Sequence, residues 1–196
     1  MVKRLFDVIF SFLGLVIISP LLAAIAILIK LDSKGPVFYR GVRVGKDGKL
    51  FRVYKFRTMV VGAEKLGGPS TSDDDSRITK IGRFLRKRKL DELLELINVL
   101  KGEMSLVGPR PEVPDEVGTY DEKTKAAILS IRPGLTDFAS LWNIHEGEIL
   151  KGAKDPHKVY REKIKSEKIR LQLEYVKTRS FLTDLKIIFM TLKKLL

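Results

Sequence analysis

The sequence has no cysteine, a single tryptophan and only two histidines. Without cysteine there are no disulfides and no thiolate chemistry, and a zinc site would have to rely on histidine and carboxylates. His145 and His157 lack metal-ligand spacing and read as ordinary polar residues. No P-loop, GxGxxG or HExxH pattern occurs, which argues against the common nucleotide folds and zinc proteases. There is no internal repeat and no clear linker. The 196 residues are 44% hydrophobic and 31% charged, which is globular composition and enough chain for one sizeable core.

Charge is missing altogether from Val8 to Ile29. Those 22 residues are long enough, as a helix, to cross about 30 Å of hydrocarbon. Ala23-Ala24-Ile25-Ala26 has the small residues of a cleavage site, but the apolar run continues past it, unlike a signal peptide. Lys3 and Arg4 precede the run, and Lys30 and Lys34 follow it. Basic residues at both ends give no preferred direction of crossing. Ser19-Pro20 lies mid-run. Proline has no N–H and its ring clashes with the Val16 carbonyl, so a break or bend is expected there. The residues alone leave a re-entrant hairpin and a kinked spanning helix both open.

Positive charge dominates the remainder. The formal net charge of +13 favours an anionic partner, whether nucleic acid, lipid or a phosphorylated substrate. No DNA- or RNA-binding module is recognisable, and nucleic acid would leave the apolar run unexplained.

Pro36 to Met59 predicts a β-hairpin, with Val37, Tyr39, Phe51 and Val53 alternating and Gly45-Lys46-Asp47-Gly48 turning. Gly62 to Ser76 predicts a mobile loop, whose Asp73-Asp74-Asp75 run reads better as solvated than as cation-binding. Ile78, Ile81, Phe84 and Leu85 have helical spacing among Lys80, Arg83, Arg86, Lys87 and Arg88. That is a basic amphipathic helix, suited to an anionic membrane surface or to covering a core. Asp91 to Lys101 predicts a second helix ended by Gly102. Gly108 to Pro114 is an irregular, proline-rich loop. Glu122 to Ser130, Pro156 to Thr178 and Phe181 to Leu196 predict further helices, the last amphipathic with Lys186, Lys193 and Lys194 able to snorkel.

Asp91-Glu92 opens a helix straight after a basic run. Asp91 is expected to stay ionised at the helix N-terminus, although Asp is also a common N-cap. Successive helical residues project about 100° apart, so the two carboxylates are expected to have separate roles. Arg57, Arg86, Arg110 and Arg132 sit in rigid or polar settings. Guanidinium groups bind phosphate oxygens bidentately. Together with the carboxylate pair and the membrane segment, they point to a pyrophosphate site.

These residues resemble the monotopic polyprenyl-phosphate phosphoglycosyl transferases, a bacterial sugar transferase family of capsule, exopolysaccharide, O-antigen and glycoprotein glycan assembly. The matching stretches are Ser19-Pro20, Lys30-Leu31-Asp32-Ser33, Gly35-Pro36-Val37-Phe38 and Tyr54-Lys55-Phe56-Arg57-Thr58-Met59. Ile81 to Lys87, Leu90-Asp91-Glu92-Leu93, Asn98 to Gly102, Met104 to Pro111 and Arg132-Pro133-Gly134-Leu135-Thr136 continue the series.

The resemblance implies an α+β, mainly helical fold. Residues 1–31 would form a re-entrant membrane anchor broken at Ser19 and Pro20. Residues 32–196 would form a catalytic domain, with amphipathic interfacial helices, on the cytoplasmic face of the bacterial cytoplasmic membrane. Asp91 would be the nucleophile toward the sugar-bearing phosphate of a UDP-sugar and a ligand of Mg²⁺. Glu92 would complete the dyad, handling the acceptor's proton or helping to position the metal. Lys55, Arg57, Arg86, Arg110 and Arg132 would bind substrate, and polyprenyl (undecaprenyl) phosphate would take the phosphosugar. The implied partners are the UDP-sugar, polyprenyl phosphate and membrane lipids, with no nucleic acid and with a homodimer left open. The non-catalytic alternative is a basic membrane-associated scaffold. The chain departs from the family pattern at Arg88-Lys89, where Ser or Thr usually fills one or both positions; at Leu94-Glu95, often Pro-Gln; and at Ser140 to His145, where sugar specificity would be set.

Overall fold

The computed structural model describes residues 2–68 and 70–195. A single helix, α1 (Val2–Asp32), precedes the hairpin strands β1 (Phe38–Tyr39), β2 (Val42–Val44), β3 (Leu50–Arg52) and β4 (Lys55–Phe56). There follow α2 (Lys80–Lys87), a 3₁₀ turn (Leu90–Glu92), α3 (Glu95–Lys101), β5 (Ser105–Val107), α4 (Pro114–Gly118), α5 (Glu122–Leu129) and β6 (Gly134–Thr136). The C-terminal part is helical, with α6 (Phe138–Trp142), α7 (Glu146–Ile149), α8 (Pro156–Val159), α9 (Lys165–Thr178) and α10 (Phe181–Leu195). The fold is mainly helical α+β, as the sequence implies. The last residue of the expected C-terminal helix, Leu196, lies outside the described residues.

α1 runs through Ser19-Pro20 without interruption, where two helices were expected. Pro20 cannot bond the Val16 carbonyl, and the Ser19 hydroxyl donates to that carbonyl instead, at 2.8 Å. The local hydrogen-bond deficit of the proline is thus met from the preceding residue.

Both ends of α1 are fastened to the rest of the fold. Near its start, Arg4 donates to the Val99 and Leu100 carbonyls of α3, at 2.6 and 3.0 Å. The buried Asp7 carboxylate accepts from the Ser105 hydroxyl and the Leu106 N–H of β5. Lys3 donates to the Val107 carbonyl and pairs with Asp184 of α10, which also accepts from the Tyr175 hydroxyl. Near its end, Ile25 and Ile29 join Phe56, Leu85 and Leu94 in one buried cluster. Mid-helix, a Cβ added at Gly14 would stand 3.4 Å from Leu96 Cδ1. The opposite side of α1 exposes Ile9, Phe10, Phe12, Leu13, Val16, Ile17 and Leu21. An open apolar face of this size needs covering.

The hairpin keeps one register throughout. Phe38 pairs with Phe56, Val42 with Arg52 and Val44 with Leu50, and the Val53 N–H reaches the Gly41 carbonyl between them. Its tip is the expected Gly45 to Gly48 turn, with Asp47 and Gly48 at positive φ. α2 lies against the hairpin so closely that a Cβ on Gly82 would fall 2.0 Å from the Thr58 carbonyl oxygen. Thr79 caps α2 by accepting from the Gly82 N–H.

The loop expected to be mobile is tied down at several points. Asp75 pairs with Arg77, the Asp74 carboxylate accepts from the Gly152 N–H, and Ser70 bonds His157 at 3.0 Å. His157 in turn stands 3.2 Å from Glu116.

Candidate active site

α3 was expected to begin at Asp91. Instead Lys89 takes a left-handed conformation (φ 54, ψ 20), Leu90–Glu92 forms a 3₁₀ turn, and the helix starts at Glu95. A non-glycine residue there costs roughly 1–2 kcal/mol. The turn places three carboxylates, Asp91, Glu92 and Glu95, around Lys55 of β4. Lys55 Nζ is 2.8 Å from Glu92 Oε1 and 3.1 Å from Glu95 Oε1.

Lys55 is aimed by α3. Asn98, fully buried, accepts from the Tyr54 N–H at 2.9 Å and donates to the Arg52 carbonyl at 2.9 Å. Those bonds clamp the strand on either side of Val53 and fix its approach to the carboxylates. Gly102 closes α3 in the left-handed conformation (φ 82), as its position predicts.

Arg110 enters from the other side, on the Gly108-Pro109-Arg110-Pro111 loop after β5. The loop is anchored by the parallel pairing of β5 with β6 and by the Gly134 N–H, which donates to the Pro109 carbonyl at 3.0 Å. A Cβ on Gly134 would lie 2.1 Å from Gly108 N, so this approach requires glycine. Both terminal nitrogens of Arg110 donate to the Glu92 carboxylate, one at 2.9 Å.

The two dyad carboxylates therefore sit in opposite situations. Burial alone would raise Glu92, but Arg110 and Lys55 outweigh it and hold the acid well below its ordinary range. Asp91 is pushed upward, first by burial and then by the Glu92 charge, against the pull of Lys55, Arg86 and Lys89. The helix N-terminus expected to favour the Asp91 carboxylate is absent at this residue, because Asp91 lies on the 3₁₀ turn ahead of α3 and is 7% exposed. Asp91 has no side-chain hydrogen bond or ion pair among the described residues, and its Oδ1 is sealed from solvent. Leaving such an oxygen unpaired costs about 1–3 kcal/mol.

Of the other candidate residues, Arg86 joins the cluster through its field on Asp91. Arg57 is buried elsewhere, donating to the carbonyls of Ser33, Pro36 and Met59, where it ties the end of α1 to the hairpin. Arg132 donates to the Gly102 carbonyl at 2.7 Å from an exposed position. Sequence reasoning passed over Lys89 and Glu95 as site residues. The legible signal for Glu95 was its i, i+4 relation to Asp91, which returns it to the same face one turn on.

The bacterial sugar transferase family matches residues 1–196. A UDP-glucose:undecaprenyl-phosphate glucose-1-phosphate transferase of Klebsiella pneumoniae is 40% identical over 98% of this chain and 39% of its own length. A UDP-N-acetylgalactosamine-undecaprenyl-phosphate N-acetylgalactosaminephosphotransferase of Aeromonas hydrophila is 35% identical over 100% of this chain and 44% of its own length. The exopolysaccharide production protein ExoY of Sinorhizobium fredii is 36% identical over 97% of this chain and 83% of its own length. The chain thus spans less than half the length of the first two relatives. With a match along its whole length, the chain belongs to the bacterial sugar transferase family.

Proposed function

We propose that this chain transfers a phosphosugar from a UDP-sugar to polyprenyl phosphate, releasing UMP. One observation carries the reading. Glu92 is held by two cations, while Asp91 beside it is free of every partner among the described residues. A free carboxylate ringed by cations suits a nucleophile toward phosphorus.

In the first step an Asp91 oxygen bonds to the sugar-bearing phosphorus, the bridging P–O bond of the diphosphate breaks, and its electron pair leaves with UMP. In the second, an oxygen of polyprenyl phosphate attacks the same phosphorus and the Asp91 carboxylate leaves. The product is a polyprenyl-diphosphate-sugar. Arg86, Lys55 and Arg110 surround the charge that builds on the phosphoryl oxygens. Glu92 fixes both Lys55 and Arg110.

The donor set fits Mg²⁺. The orphaned Asp91 oxygen is a hard ligand, and magnesium often takes one or two carboxylates with substrate phosphates. Bound there, Mg²⁺ would neutralise charge on the diphosphate. Glu92 has both oxygens engaged and is not available as a ligand.

The anchoring of α1 supports a monotopic arrangement, because both helix ends contact the same body; the cytoplasmic face is proposed with it. The apolar faces of α1 and α10 meet where Phe6 and Phe181 stand edge to face at 5.3 Å, and a lipid surface would cover both.

The test is release of UMP from a panel of UDP-sugars presented with undecaprenyl phosphate in detergent or liposomes. Turnover with one of them is expected. No UMP from any sugar would leave the scaffold reading standing.

A further inference from the structure

Six basic residues crowd the segment from Lys80 to Lys89, and they divide by burial. Lys80, Arg83, Lys87 and Arg88 are exposed, whereas Arg86 and Lys89 are half-buried. The two half-buried cations are also the two of this segment whose fields act on Asp91. They stand three residues apart, Arg86 in the last turn of α2 and Lys89 just beyond it.

Lys89 differs from Lys55 and Arg110 in one respect. Those two are already paired, both with Glu92 and Lys55 also with Glu95. The Lys89 ammonium has no hydrogen bond or ion pair among the described residues, although it lies in the field of Glu92, Arg110, Asp91 and Arg86. It also carries a left-handed backbone, shared among the described non-glycine residues only with Asp47 at the hairpin tip. Asp47 occupies an ordinary tight turn, where this conformation is common for Asp. Lysine has no such local excuse. Strain of this kind persists where surrounding structure enforces it, and it clusters at functional sites.

Arg86 likewise has no side-chain hydrogen bond or ion pair among the described residues. Two unpartnered cations thus stand beside the unpartnered, buried Asp91 carboxylate.

We propose that Lys89 is a substrate-binding residue whose ammonium takes phosphoryl oxygens brought to Asp91, paired in this task with Arg86. The proposal rests on the phosphosugar-transfer reading above. Two substrates carry the required chemistry, the donor diphosphate and the lipid acceptor phosphate.

Three variants test it in the full-length, membrane-reconstituted protein. Lys89→Gly removes the ammonium and suits the positive φ. Lys89→Asn removes the charge and tolerates the same backbone. Lys89→Arg keeps the charge. Loss of one charged phosphate contact is expected to raise the half-saturating concentration of the substrate it binds about tenfold or more in the Gly and Asn variants. The Arg variant should recover most of that loss. Thermal midpoints of Lys89→Gly should equal or exceed wild type. UMP release without acceptor isolates the donor, and full turnover with varied undecaprenyl phosphate isolates the acceptor; a rise in either supports the proposal.

Wild-type kinetics for Lys89→Gly in both assays would overturn it and leave the transfer reading intact. Equal losses in all three variants together with lowered thermal midpoints would also overturn it, in favour of a structural role. If the wild-type protein releases no UMP from any UDP-sugar, the transfer reading falls first and this one with it.

Discussion

Arg110 grips the Glu92 carboxylate with both terminal nitrogens, while Asp91, one residue earlier in the chain, is gripped by nothing among the described residues. The difference follows from the 3₁₀ turn, which sends adjacent side chains in different directions, and from Lys55, which shares Glu92 Oε1 with Arg110. It separates a fixed carboxylate from a free one.

Replacing the free one makes a two-sided prediction. Asp91→Asn is expected to abolish UMP release and any exchange of labelled UMP into UDP-sugar without acceptor. It is also expected to raise stability. A carboxyl whose folded pKa lies above its unfolded value binds its proton more tightly when folded. Stability is then fully present below the ordinary value of 3.8 and is lost as pH rises through the raised value. At neutral pH the wild type bears that cost and the amide does not. A domain of this size gains about 2–4 °C in Tm per kcal/mol. A lower Tm for Asp91→Asn at pH 7, with a flat difference down to pH 4, would contradict this.

Arg110→Lys keeps the charge and loses the fork, so Glu92 and Lys55 lose their shared geometry. Activity is expected to fall about a hundredfold, the order typical of a misplaced electrostatic group at a reacting centre. Arg110→Gln should in addition cost about 1–3 kcal/mol, since it leaves a half-buried carboxylate short of two hydrogen bonds. The sign of its pH dependence is opposite to that of Asp91. Glu92 is held well below its ordinary 4.5, so the contribution is present above that value and lost as pH falls through the folded one. Urea unfolding of wild type and Arg110→Gln should show a gap that is constant from pH 7 to pH 5 and closes only in stronger acid.

The hairpin, α2, α5 and the Gly102 helix end were legible because their signals are local: alternation, 3.6-residue spacing and turn glycines. Two features at the site were not. The β5–β6 pair joins Ser105 to Gly134 across a long separation in only three residues each, too short for alternation to register. The displacement of Asp91 from the helix start depends on left-handed Lys89, and no propensity rule places lysine there. Lys3 and Arg4 read as flanking charges of an apolar run, and Asp7 carries no signal of its own. Their bonds to β5 and α3 connect the helix root to the strand that leads into the Arg110 loop, a relation only tertiary structure reveals.

That connection is testable apart from the chemistry. Asp7 is 3% exposed and accepts from Ser105 and Leu106. Asp7→Ala strands both donors in the interior and is expected to cost about 1–3 kcal/mol. Because β5 leads directly into the Arg110 loop, turnover should drop while sedimentation with membranes stays unchanged. Full activity in a variant with the expected loss of stability would mean that the helix root and the loop are independent.

The topology of α1 can be read with engineered thiols, since the chain has no cysteine of its own. Val2 and Lys34 are exposed and lie at opposite ends of a helix about 46 Å long if straight. A straight span would put them on opposite sides of the bilayer. Yet Arg4 and Asp7 bond to α3 and β5, and Ile25 and Ile29 pack under Phe56 and Leu85, all within one domain. Separating the helix ends across a bilayer would tear out one of these sets, including a buried carboxylate. Val2→Cys and Lys34→Cys are therefore expected to react alike with a membrane-impermeant maleimide: protected in intact spheroplasts, labelled in inverted vesicles. Labelling of one site in each preparation would overturn the monotopic arrangement. Pro20→Ala sharpens the test. It restores the N–H that can bond the Val16 carbonyl, which the Ser19 hydroxyl otherwise serves, and removes the ring clash, so a straight helix is favoured locally. If the proline is what keeps the helix from crossing, a fraction of Pro20→Ala molecules should show the two-sided labelling pattern that the wild type lacks.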